Sequence, residues 1–225
     1  PDGQVPIVSY SWFKNGVPTL HTGASIHSAY TSKGELWSVE VQTNDGSLYS
    51  DIATAQTVIE NSVPNIDSIS ISASSGIFSN SALSCTATAS DPNEGVGINY
   101  IWTNEDTGAN LSTSGNVQLQ NSTVSPGDKL RCTAQTVDSD GFVDSAQTEV
   151  FVSNRSPVLG SVLVSPVTTT TSQAITCSIN ASDPDGQVLN YRYSWEHNGQ
   201  IVSTSPTLYL SPSWVQPGDV LVCTA

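Results

Sequence analysis

The sequence predicts an all-β protein, an extended array of antiparallel β-sandwiches in tandem. Three observations predict it. Apolar residues alternate strictly with polar ones, as at Leu83, Cys85, Ala87 and Ala89, or at Leu130, Cys132 and Ala134. A period of two turns one face of a strand inward and leaves the other in water. Turn-forming pairs punctuate these runs: Asn15-Gly16, Asp45-Gly46, Asp140-Gly141 and Asn198-Gly199, with Pro-Gly-Asp at 126–128 and 217–219. The pattern also returns about every 92 residues, the signature of a repeat protein. No stretch carries a convincing helical period.

The repeat is legible at several points. DPNEG at 91–95 answers DPDG at 183–186, and NSVP at 61–64 answers NRSP at 154–157. VSPGDKLRCTA at 124–134 answers VQPGDVLVCTA at 215–225, with KGELWSVEV at 33–41 in the same place of the first copy. Trp12, Trp102 and Trp195 mark one further shared position. Residues 1–61 read as the C-terminal part of one repeat, 62–154 as a complete repeat, and 155–225 as the N-terminal part of a third. The chain opens at an acidic loop and closes on a core strand, so a window of a longer array is expected. The leading strands of the first copy are then expected before Pro1.

Each copy is expected to run in the same order. An early strand carries the first cysteine (Cys85, Cys177). An acidic loop follows, then a strand with inward aromatics, such as Tyr191, Tyr193 and Trp195. The Pro-Gly-Asp turn leads into a strand holding the second cysteine (Cys132, Cys223), and a last apolar run, Thr57-Val58-Ile59 or Val150-Phe151-Val152, ends the copy. Val39 stands where Cys132 and Cys223 stand, so the first copy has no bridge at that position.

Composition narrows the function. The 225 residues are 37% hydrophobic and 12% charged, with six Lys and Arg and a net charge of −14. Such a chain repels phosphate backbones and anionic lipid, which excludes nucleic acid and direct membrane insertion as expected modes. No run approaches the roughly 18 apolar residues of a membrane span.

The spacing of Cys85, Trp102 and Cys132, and of Cys177, Trp195 and Cys223, resembles the immunoglobulin fold. The D-P-D-G…Y-x-Y-x-W-x-x-N-G run at 183–199 resembles PKD-type and cadherin-like repeats of bacterial and archaeal surface proteins. The resemblance implies immunoglobulin-like sandwiches in which Cys85 pairs with Cys132 and Cys177 with Cys223, across the two sheets. Buried free thiols are the rival reading of the cysteines. Bridges imply an oxidising, extracellular or cell-surface location.

The acidic loops are the main candidate site. Asp91, Asp138, Asp140, Asp183 and Asp185 lie in DPNEG, DSDG and DPDG turns. Hard oxygen ligands suit calcium, the one cofactor the sequence suggests. Asp-Pro and Asp-Gly are equally ordinary turn chemistry, and a catalytic carboxylate pair is the third alternative. Asn110, Asn121, Asn154 and Asn180 head N-x-Ser/Thr sequons and are candidates for glycosylation. His21, His27 and His197 read as solvated surface residues, with no recurring catalytic set around them. Tyr30, Tyr49, Tyr209 and Trp214 are candidates for a sugar platform, with core or rim packing as the alternative.

The expected function is that of a non-enzymatic, structural or adhesive extracellular protein: the repeat segment of a surface stalk, fibre or filament. Neighbouring repeats, copies of itself and surface glycans are the expected partners. The alternative is a calcium- or carbohydrate-binding accessory module of an adhesin or secreted enzyme.

Overall fold

The computed structural model describes residues 5–225 and is all-β, with a single short 3-10 turn at Ser28–Tyr30. The opening acidic loop expected at Asp2-Gly3 lies outside the described residues.

The middle unit contains β5 (Asn65–Ala73), β6 (Ala82–Ser90), β7 (Ile98–Asn104), β8 (Ala109–Ser112), β9 (Asn116–Gln118), β10 (Lys129–Val137) and β11 (Val143–Phe151). They form two antiparallel sheets, β5-β6-β9 and β11-β10-β7-β8. This is the strand order of an immunoglobulin-like sandwich. Alternation decides which faces meet: Leu83 and Cys85 on β6, and Leu130, Cys132 and Ala134 on β10, are buried between the sheets. A disulfide joins Cys85 to Cys132, with Cα atoms 6.5 Å apart. Trp102 lies opposite Cys132 in the β7–β10 ladder and is fully buried.

The third unit repeats the plan. It contains β12 (Val158–Ser165), β13 (Ala174–Ser182), β14 (Ser194–His197), β15 (Gln200–Ser203), β16 (Thr207–Tyr209) and β17 (Leu221–Thr224), in sheets β12-β13-β16 and β15-β14-β17. Cys177 bridges to Cys223, and Trp195 lies opposite Cys223. Ile175, Leu208, Leu210 and Val215 complete this core.

The first unit has one sheet among the described residues, in the order β2-β1-β3-β4, from β1 (Ile7–Lys14), β2 (Val17–Pro18), β3 (Leu36–Asn44) and β4 (Ala53–Val58). Trp12 faces Val39 in the β1–β3 ladder, the same pair position as Trp102–Cys132. Val39 is half-buried. The segment between β2 and β3 folds over the sheet. The Trp12 indole donates to Gly23 O at 2.8 Å, and Trp37 is buried under Trp12 and His21.

Local chemistry sets the hairpins. Asn15 and Gly16, and Asn198 and Gly199, all have positive φ, as a two-residue type I′ turn requires. Two residues after Trp12, Trp102 and Trp195, one side chain reaches the turn before the ladder partner β3, β10 or β17: Lys14 to Glu35, Asn104 to Asp128 at 2.7 Å, and His197 to Asp219 at 2.9 Å. Glu35 is held down to about 2, chiefly by the Lys14 ammonium and against the opposing pull of desolvation.

One expected strand is shorter than its pattern. β14 begins at Ser194, because its ladder with β17 stops at the pair Ser194–Thr224. Tyr191 therefore lies outside the strand and is 45% exposed, while Tyr193 still packs on the core.

Candidate functional site

Two linkers join the three units: Asn61-Ser62-Val63-Pro64 before β5 and Asn154-Arg155-Ser156-Pro157 before β12. The second residue of each linker donates its backbone N–H into the acidic loop of the unit that follows. The Ser62 N–H meets Asn93 Oδ1 at 2.7 Å, and the Arg155 N–H meets Asp185 Oδ2 at 2.6 Å. Asn93 and Asp185 are the third residues of their loops. The first residues serve the loops themselves. Asp91 Oδ1 accepts from the Asn93 N–H at 2.6 Å, and Asp183 Oδ1 accepts from the Asp185 N–H at 2.8 Å. This is aspartate closing its own turn.

At the second junction the clamp carries charge. The Asp185 side chain is fully buried, and its Oδ1 accepts from Arg155 Nε at 3.1 Å and Nη2 at 2.8 Å. Arg155 Nη2 also reaches Pro184 O at 2.8 Å and, on the middle unit, Asn80 Oδ1 at 3.0 Å. The guanidinium lies over the Phe78 ring, 4.8 Å from its centroid. The buried Ser79 hydroxyl is 2.7 Å from Asp185 Oδ1 and 2.9 Å from Asn121 Oδ1. Burial pushes the Asp185 carboxyl up, but the Arg155 guanidinium, the Ser79 hydroxyl and the Arg155 N–H outweigh it and hold it at about 2. Both oxygens accept hydrogen bonds at the junction, and the carboxylate is the counter-ion of Arg155.

The first junction is built differently. Lys33, in the turn before β3, extends its ammonium onto the middle unit. It meets Ser139 Oγ at 2.7 Å, Asp140 Oδ2 at 2.8 Å and Glu94 Oε1 at 3.4 Å. The Asn61 amide donates to Asp138 Oδ2 at 2.7 Å. Asp138 is buried and accepts from the N–H groups of Asp140 and Phe142. Asp91, Glu94 and Asp138 converge, each offering an oxygen within 4.8 Å of the others. Asp91 Oδ2 and Asn61 Oδ1 are buried there without a hydrogen-bond partner. An all-oxygen set with two unused acceptors fits calcium.

The electrostatics agree with a charged cluster at neutral pH. The Lys33 ammonium is pushed up, first by its bond to Asp140. Glu94 is pulled down, first by the Ser139 N–H. Asp138 is desolvated, yet the N–H of Phe142 and the Asn61 amide leave it below the usual carboxylate range.

The five aspartates singled out from sequence thus part company. Asp91 and Asp138 meet in one cluster, Asp140 answers Lys33, Asp183 closes a turn, and Asp185 belongs to Arg155. Sequence reasoning missed Glu94, Lys33 and Arg155. The step between NSVP and NRSP, where arginine replaces serine just as aspartate replaces asparagine in the loop, was the available signal.

The other candidates also separate. Asn110 and Asn180 are exposed on β8 and β13, and Asn154 is exposed in the linker. Asn121 is engaged at the junction, donating to Pro184 O at 3.2 Å. Of the histidines, His27 is exposed, but His21 lies 4.6 Å from the Tyr30 ring and His197 lies 5.6 Å from the Trp214 ring. The expectation of three solvated histidines fails where aromatic neighbours cover them. Tyr30, Tyr49 and Tyr209 are exposed by 58%, 70% and 77%, so they do not pack as core. Trp214 is half-buried.

No family model and no curated protein matches this sequence. Solved structures that overlap with it include a Ca2+-stabilised adhesin with which an Antarctic bacterium binds ice (13% identity, TM-score 0.32). The overlap covers 96% of this chain, which spans 63% of the length of that one. The FN1–FN3 domains of chicken CNTN1 share 10% identity at a TM-score of 0.30, over 91% of this chain and 77% of that one. Protocadherin gamma B2 cadherin domains 3–6 share 12% identity at a TM-score of 0.32, over 91% of this chain and 57% of that one. Overlap this loose carries no argument about function. The immunoglobulin-like sandwich rests on strand order, register and the bridged cores.

Proposed function

We propose that this chain is a repeat segment of an extracellular structural protein, a surface stalk, fibre or filament whose modules are held end to end. The Arg155–Asp185 clamp carries this reading. A flexible tether needs no buried ion pair in its linker, whereas a load-bearing spacer needs its modules fixed to each other. The Ser62–Asn93 contact repeats the clamp's backbone half at the other junction. Two intramodular disulfides suit an oxidising, extracellular setting. Small-angle scattering tests the proposal. An elongated particle whose maximum dimension is insensitive to salt supports it, and modules folded back into a compact globule overturn it.

A second reading adds calcium at the first junction, favoured by the unpartnered Asp91 Oδ2 and Asn61 Oδ1 beside Glu94 and Asp138. The cation would stiffen that junction alone, since Arg155 supplies the positive charge at the other.

A further inference from the structure

The repeat makes one corner of the sandwich directly comparable between units. In the middle unit, Gln118 on β9 pairs with Ala82. In the third unit, Tyr209 on β16 pairs with Ala174, the same place in the ladder. Thr123 closes a turn by donating its N–H to Gln120 O, and Trp214 closes the equivalent turn on Ser211 O. Asn104 reaches Asp128 from the strand after the acidic loop, and His197 reaches Asp219 from the same place. Gln, Thr and Asn in one unit are thus Tyr, Trp and His in the next, all around one corner.

The corner is a groove of about 170 Å³ in the middle unit and about 610 Å³ in the third. The lining of the larger groove includes Tyr209, Trp214 and His197 together with the hydroxyl-bearing Ser203, Ser205 and Thr207. The fold has no use for the Tyr209 ring, which is 77% exposed where the middle unit manages with Gln118. Trp214 is positioned instead: its ring meets His197 edge-on at 70°, and His197 is held by Asp219 at 2.9 Å.

We propose that this groove of the third unit binds a neutral saccharide of a glycan chain. Rings of Tyr and Trp offer flat apolar surface with a polar edge, which matches the CH-bearing face of a sugar ring. Serine and threonine hydroxyls both donate and accept, as sugar hydroxyls demand. A few convergent polar groups beside aromatic walls are the usual make-up of a small-molecule site. The lining holds no Lys or Arg, and the chain carries a net charge of −14, so an acidic sugar is disfavoured. This site is independent of the junction clamps, and the two proposals fail separately.

The test is titration of the 225-residue chain with neutral hexasaccharides of glucose, mannose and N-acetylglucosamine, with oligogalacturonate as the acidic control, followed by tryptophan fluorescence and calorimetry. Saturable binding of at least one neutral sugar is expected. Tyr209→Gln and Trp214→Thr install the residues the middle unit already carries, and each is expected to weaken binding about tenfold or more. Tyr209→Gln changes an exposed side chain and leaves the unfolding temperature in place. The proposal is overturned if no neutral sugar binds, if the acidic oligomer binds as well or better, or if Tyr209→Gln binds like the parent.

Discussion

Arg155 and Asp185, thirty residues apart, meet through both the backbone and the side chain of the arginine, and the carboxylate they enclose is fully buried. The pair lies where one sandwich ends and the next begins. It fixes the position of the third unit against the middle one while drawing its partners, Asn80, Ser79 and Phe78, from the middle unit. Removing either side leaves a different deficit. Arg155→Ser strands a buried negative charge and is expected to destabilise the junction by about 3 kcal/mol. Asp185→Asn leaves a neutral acceptor, as Asn93 is in the other junction, and is expected to cost less. The double variant Arg155→Ser with Asp185→Asn converts one junction into the other and should recover much of the loss. Denaturant unfolding of the four proteins as a double-mutant cycle gives the coupling directly. Additive effects would mean that the two residues do not act as a pair.

The same carboxyl makes stability depend on acid. Its value in the folded protein, about 2, lies below the ordinary 3.8. A depressed folded value stabilises the protein above the ordinary carboxylate range, and that contribution disappears as pH falls through about 4 to about 2. Unfolding temperature measured across this window should fall more steeply for the parent than for Asp185→Asn. Glu35 adds a slope of the same sign in the first unit, and Lys14→Met should reduce it.

The disulfides divide the chain into reducible and non-reducible parts. Each closes a loop of 46 or 47 residues, worth roughly 4 kcal/mol in the loop-entropy view. Reductant should therefore lower the unfolding transitions of the middle and third units. The first unit, with Val39 at the cysteine position, should be unaffected. Cys85→Ser with Cys132→Ser should move the middle unit alone, as read by proteolysis or calorimetry.

Calcium at the first junction has a specific signature. If the cation takes Asp91, Glu94, Asp138 and the Asn61 carbonyl, millimolar calcium raises the unfolding temperature of the parent but not of Glu94→Gln. Lys33→Ala should tighten the response, because it removes the ammonium that already answers Glu94 and Asp140. A parent protein indifferent to calcium would leave Lys33 as the counter-ion of the cluster.

The architecture was legible in the sequence because its causes are local. Alternation assigned Leu83, Cys85, Leu130 and Cys132 to the interior, since a strand allows each residue only two directions. Asn15-Gly16 and Asn198-Gly199 announced their hairpins, since few other pairs accept positive φ at both positions. Repetition placed Val39 at the position of Cys132 and Trp12 at that of Trp102, and the two ladders pair them alike. The fate of each acidic residue was not legible, because one loop chemistry serves a turn, a salt bridge or a cation cluster equally well. Which of these Asp185 or Asp138 joins depends on the side chain delivered to it from elsewhere in the chain, Arg155 in one case and Asn61 in the other. Exposure of Tyr209 likewise escaped the pattern, for alternation names the outer face of a strand but not what, in three dimensions, covers it. Strand identity is decided by neighbours along the chain, and the sites by neighbours across space.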